Sequence, residues 1–163
     1  MQRISKENYY LDIAQTVLER ATCLRRVYGA IIVKNDEIIS TGYNGAPRGR
    51  RNCVDMGYCT REQLRVPRGE RYELCRSVHA EANAIISAAR RDMIGGTLYL
   101  VGRDAATGAL LHDTTSCAMC RRMIINSGIT RVVNRIGDDG IEIIDVQNWI
   151  VNDESIQPKA EAE

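Results

Sequence analysis

The chain has 163 residues, enough for one domain with a buried core. Hydrophobic residues make up 44% and charged residues 26%, and no apolar run approaches the roughly 20 residues of a membrane helix, so no membrane partner is expected. Twenty-two basic residues against 21 acidic ones leave a net charge of +1, which argues against a broad nucleic-acid-binding surface. The first residues carry no apolar signal region, so the expected location is cytoplasmic.

Residues 6–22 place Tyr10, Ile13, Ala14, Val17, Leu18 and Ala21 on one helical stripe, with Ser5 as the N-cap. Two β-branched runs, 27–33 and 37–43, flank a Lys-Asn-Asp turn and predict a hairpin. Residues 44–77 follow no clean period and hold three of the six cysteines. A structureless loop of that length is expected only where it is functional or stapled by a metal. A helix is predicted over 79–91, ended by Gly95-Gly96, then a buried strand over 97–101. A second helix over 117–127 closes at Gly128. Strands at 129–133 and 141–146 and a short helix at 146–151 complete a single domain over 1–152, with 153–163 as a flexible acidic tail. The order α-β-β-α-β-α-β-β predicts one layered α/β domain around a central sheet.

The chemistry concentrates at two predicted helix starts. Cys117 and Cys120 are three apart in a first turn, so their sulfurs share a face, and the positive helix end favours the thiolate. His79 opens the other helix. Docked side by side, the two starts offer one imidazole and two thiolates, and zinc with three protein ligands keeps a fourth position for water, whose pKa falls towards about 7. Glu81, two residues after His79, does not share its face, so it serves as the general acid–base rather than as a ligand. Histidines on alanine-rich helices usually just pack, and a lone C-x-x-C is weak. The two patterns together are far more specific. A redox use of Cys117–Cys120 would leave His79 and Glu81 without a role.

Arginine supplies 19 of the 22 basic residues, eight of them within 44–78 (48, 50, 51, 61, 65, 68, 71 and 76). Its planar fork suits phosphate oxygens. A solvated loop with scattered ion pairs is the plain alternative.

Four stretches carry a resemblance to the cytidine/deoxycytidylate deaminase superfamily: C-L-R-R-V-Y-G-A-I-I-V (23–33), I-I-S-T-G-Y-N-G-A-P-R-G (38–49), C-R-S-V-H-A-E-A-N-A-I-I (75–86) and T-S-C-A-M-C-R-R-M-I-I-N-S-G-I (115–129). The G-Y-N-G-x-P-R-G segment resembles the dCMP deaminase branch in particular. The resemblance implies a three-layer cytidine deaminase-like fold with a mixed five-stranded sheet flanked by helices. It also implies catalytic zinc on His79, Cys117 and Cys120, proton transfer by Glu81, and hydrolysis of dCMP to dUMP and ammonia. Ala80 N–H would bind the base carbonyl and Asn44 the sugar. Arg26 and Arg48 are candidates for the phosphate, and Tyr43 for an aromatic wall. Gly42, Tyr43, Asn44 and Gly45 would help bind dCTP as activator and dTTP as inhibitor in a hexamer. Cys23 and Cys53 match two ligands of a second, structural zinc, which Cys59 and Cys75 would complete. Ser116 departs from the family's usual proline, where serine is expected to cap the helix instead. The same chemistry on another nucleobase or nucleoside, or a catalytically silent nucleotide-binding protein of this fold, are the alternatives.

Overall fold

The computed structural model describes residues 1–156. Helix α1 (Lys6–Leu18) starts where Ser5 Oγ accepts the Asn8 N–H. Strands β1 (Arg26–Lys34) and β2 (Glu37–Tyr43) form the expected hairpin, turned by Asn35 and Asp36 at positive φ. Two single-turn helices follow, α2 (Cys53–Met56) and α3 (Thr60–Gln63), then a 3-10 turn at Tyr72–Leu74. Helix α4 (Ala80–Ile86) precedes α5 (Arg90–Met93) and strand β3 (Thr97–Asp104). Helix α6 (Ala118–Ser127), strands β4 (Arg131–Ile136) and β5 (Gly140–Asp145), and helix α7 (Val146–Val151) finish the domain. Of the tail expected to be flexible, Glu154–Ile156 form a 3-10 turn and 157–163 lie outside the described residues.

The five strands form one mixed sheet in the order β2-β1-β3-β4-β5, parallel at β3–β4 and antiparallel elsewhere. Alternation along the strands sends Val27, Ile31, Val33, Tyr99 and Val101 to one face, where they pack against Tyr10, Leu11, Ala14 and Leu18 of α1. Ala30, Ile32, Leu98, Leu100 and Val132 face the other way, against Ala80 and Ala84 of α4, Ile124 of α6 and Val146 of α7. The result is the three-layer arrangement that the resemblance implied.

Close helix–sheet contact needs bare backbone at two strand positions. A Cβ on Gly29 would collide with Ala14 O and Leu18 N of α1, and one on Gly42 with Ala80 O and Ala84 N of α4. Gly42 therefore sets how near α4 lies to β2.

Residues 46–77 leave and rejoin the domain at one point. Gly45 N–H donates to Val78 O (3.2 Å) and Val78 N–H to Gly45 O (2.8 Å). Between 46 and 79 only Cys53 and Arg61 are buried. Thr22 anchors the segment from outside: its hydroxyl donates to Asn52 Oδ1 (3.0 Å) and its carbonyl accepts the Val54 N–H (3.3 Å).

Candidate active site and metal centre

Helices α4 and α6 present their N-termini together on one face of the sheet. His79 and Cys117 are the N-cap residues, both extended, and neither uses its side chain to cap. This frees the imidazole and the thiol. His79 Nδ1 lies 3.5 Å from Cys117 Sγ and 3.4 Å from Cys120 Sγ. The three ligand atoms all fall within 4.8 Å of one another, the spacing of a tetrahedral metal's ligands. Among the described residues no three of the other cysteines, histidines or carboxylates draw as close.

The electrostatics suit the same donor set. A hydrogen bond from Cys120 holds the Cys117 thiol down at about 4, with His79 adding to the effect. That contact, then burial and the Glu81 charge, pushes the Cys120 thiol upward. The pair thus releases one proton readily and shares the other. Such soft ligands bind zinc deprotonated, so these residues fit the ion. Burial also pushes the Glu81 carboxyl up, while His79 pulls the other way. A carboxyl that is 5% exposed and beside the ligands is placed to exchange protons within the site.

A cavity of about 150 Å³ opens beside these groups. His79, Ala80, Glu81 and Cys117 line it together with Tyr28, Asn44, Tyr72 and arginines 25, 26, 61 and 68. Tyr72 meets the His79 ring edge-on, with centroids 4.9 Å apart. Ala80 opens α4, so its N–H has no partner inside the helix.

The remaining candidates take different places around the cavity. Tyr43 is 38% exposed and absent from the cavity lining, because alternation along β2 buries Gly42 and turns Tyr43 outward. Tyr28 and Tyr72 are the aromatic residues there. Arg48 is exposed and outside the lining; Arg26 lines it but is paired with Asp113 at 3.2 Å. Asn44 lines it too, yet its Oδ1 accepts the Tyr28 N–H (2.8 Å) and its Nδ2 donates to Arg26 O (2.9 Å), leaving one amide N–H free. Ser116 does not cap α6, since Cys117 holds that position. Its hydroxyl is buried beside Glu81 without a well-formed hydrogen bond.

Gly42, Tyr43, Asn44 and Gly45 run from the end of β2 to the neck of the 46–77 segment. Cys23, Cys59 and Cys75 line the arginine-rich side of the cavity, and Cys53 is buried near all three. Cys23 Sγ accepts the Arg25 N–H and Cys75 Sγ the Ser77 N–H, each at 3.4 Å. Sequence reasoning missed Arg61, Tyr28 and Tyr72 as lining residues. Their signal is spatial, since they come from α3, β1 and a 3-10 turn.

The profile of the cytidine and deoxycytidylate deaminase zinc-binding region matches residues 4–135. Deoxycytidylate deaminase of Mycobacterium phage D29 is 37% identical over 138 residues, which cover 82% of this chain and 96% of that protein. Deoxycytidylate deaminase of Schizosaccharomyces pombe is 34% identical over 131 residues, covering 80% of this chain but only 37% of the yeast protein. Among solved structures, the apo dCMP deaminase of cyanophage S-TIM5 superposes with a TM-score of 0.58 at 25% identity, over 85% of this chain and 88% of the phage one.

Proposed function

The chain belongs to the cytidine and deoxycytidylate deaminase zinc-binding family, and from that premise we propose that it hydrolyses dCMP to dUMP and ammonia. One observation carries the reading. A fully formed His-Cys-Cys ligand set stands beside a buried carboxyl, at a cavity that four arginines also line.

His79 Nδ1, Cys117 Sγ and Cys120 Sγ would hold zinc, which supplies a Lewis acid that makes water reactive at neutral pH. Ala80 N–H takes the base carbonyl and fixes the ring's orientation. Glu81 takes a proton from the attacking water and hands it to the ring nitrogen. It then takes the second proton from the hydroxyl now bonded to the ring carbon and delivers it to the amino group, which leaves as ammonia when its C–N bond breaks. Its burial keeps these protons from bulk solvent. Tyr28 and Tyr72 enclose the base, and the free amide N–H of Asn44 meets a sugar hydroxyl. The arginines place the phosphate.

We extend the proposal to a second, structural zinc on Cys23, Cys53, Cys59 and Cys75. Its support is their shared location and the backbone N–H groups that already meet two of the sulfurs. Regulation by dCTP and dTTP at Gly42–Gly45 is supported by the exposure of Tyr43 away from the cavity. A homo-oligomer, the hexamer that the family resemblance implies, would cover Ile86, Ile150 and Val151, all half or more exposed. Six free cysteines suit a reducing cytoplasm, and no helix among the described residues is long and apolar enough to cross a membrane.

The test is ultraviolet-monitored deamination by zinc-loaded protein with dCTP present. Conversion of dCMP is expected, and no conversion of dCMP would overturn the reading. Turnover of free deoxycytidine equal to that of dCMP would sink the phosphate part alone.

A further inference from the structure

Arg25, Arg26, Arg61 and Arg68 all line the cavity. Three of them already face a carboxylate. Arg25 Nε lies 2.9 Å from Glu62, and Asp113 is shared by Arg26 at 3.2 Å and Arg68 at 2.8 Å. Arg61 has no carboxylate partner among the described residues, although at 6% exposure it is the most deeply buried of the four.

Its contacts are all uncharged. Nη2 donates to the carbonyls of Pro67 (3.1 Å) and Glu70 (2.6 Å), and the guanidinium lies over the Tyr72 ring at 4.6 Å. Nε is buried with no partner. A guanidinium does not shed its proton in proteins, so burial cannot neutralise it. A buried charge without a counter-charge is costly, and holding a surface loop gives no reason to bear that cost. Arg76 also hides an unpartnered Nε, but it lies outside the cavity lining.

We propose that Arg61 is the residue that reads the substrate's phosphate, its missing counter-charge being the phosphate itself. This rests on the dCMP reading given above. Tyr72 sets the spacing, lying under the Arg61 guanidinium and against the His79 ring. One aromatic ring thus separates the cation from a metal ligand, a gap that a nucleotide bridges with its base at one end and its phosphate at the other. Arg26 and Arg68, held by Asp113, form the outer rim. The rival role for Arg61 is to balance thiolates of the nearby cysteines and the exposed Glu73 carboxylate, since its charge falls on Cys75 and on Glu73.

The experiment compares wild type, Arg61→Gln and Arg61→Lys as zinc-loaded full chains. It reads kcat/KM for dCMP and deoxycytidine, calorimetric binding of dUMP and deoxyuridine, and zinc content. Arg61→Gln is expected to lower kcat/KM for dCMP about 100-fold while deoxycytidine stays within about 3-fold. Binding of dUMP falls in parallel and that of deoxyuridine does not. Arg61→Lys, which keeps the charge but loses the fork, falls about 10-fold on dCMP alone. Equal losses on both substrates, or loss of zinc in step with activity, would assign Arg61 to the loop or the thiolates and overturn the proposal. Survival of full dCMP preference in both variants would overturn it too. A wild-type enzyme that converts dCMP without preferring it to deoxycytidine overturns phosphate reading by any residue while leaving deamination standing. One that does not convert dCMP at all fails the underlying reading, whatever the variants do.

Discussion

The two cysteine-bearing regions of this molecule are built in opposite ways. His79, Cys117 and Cys120 stand at the mouths of α4 and α6, and both helices press apolar faces into the core through Ala80, Ala84 and Ile124. Their ligand atoms come together because the sheet and helices leave them nowhere else to go. Cys53, Cys59 and Cys75 lie in a segment with single-turn helices and almost nothing buried, and together with Cys23 their sulfurs do not close to the same spacing. A site made by the core is preformed, whereas a site made by a loop must be completed by what binds there.

Four perturbations test that contrast. The largest effect is expected at Glu81. Glu81→Gln should lower kcat on dCMP by about 10⁴-fold, the upper end for general acid–base chemistry. Melting temperature and zinc content should stay near wild type. A variant that retains a tenth of the activity would remove Glu81 from proton transfer.

Cys75→Ser probes the other region. Zinc should drop from two equivalents to one, and folding stability by about 4 kcal/mol, the range for losing a structural metal. The His79 site should keep its ion. Two equivalents of zinc in the variant, or one in fully loaded wild type, would dismiss the second site.

A matched pair of glycines separates packing from chemistry. Gly29→Ala and Gly42→Ala each force a helix off the sheet and should each cost about 1–3 kcal/mol. Only Gly42→Ala displaces α4, so only it should also lower kcat, since Glu81 moves with the helix. Equal kcat in both variants would mean that α4 tolerates the shift.

Ser116→Ala should do least. It removes a buried hydroxyl with no well-formed hydrogen bond, so stability should hold or rise by up to about 1 kcal/mol. A loss larger than that, measured by urea unfolding, would show that the hydroxyl has a real partner.

Much of this architecture was legible in the sequence because it follows local periodicity. The hairpin, the helix mouths and the His-x-Glu and Cys-x-x-Cys spacings all came from short patterns. Long-range contacts decided what those patterns could not. The stripe over 6–22 predicts a longer α1, but the helix ends at Leu18. Thr22 N–H instead donates to Asn44 O at 3.1 Å, tying the chain to the far end of β2. The alanine-rich run 79–91 breaks after Ile86. Ser87 Oγ turns back to Asn83 O, and α5 re-aims the chain so that Met93 enters the core. Alternation on β2 was readable, yet the side of the sheet bearing the cavity was not, and so the sequence points to Tyr43 while Tyr28 and Tyr72 line the cavity. Arg61 was one of eight arginines in a row of loops; only burial singles it out.

The paired hydrogen bonds between Gly45 and Val78 make residues 46–77 a detachable module. Its two ends meet on the scaffold whatever lies between them. The entropic cost of closing a loop grows only with the logarithm of its length, so insertions of other sizes can occupy the same socket. The catalytic trio, carried by helices outside that socket, need not change when they do. An engineer could exchange the module to retarget the enzyme, keeping His79, Glu81, Cys117 and Cys120 and replacing the part proposed to grip the far end of the substrate.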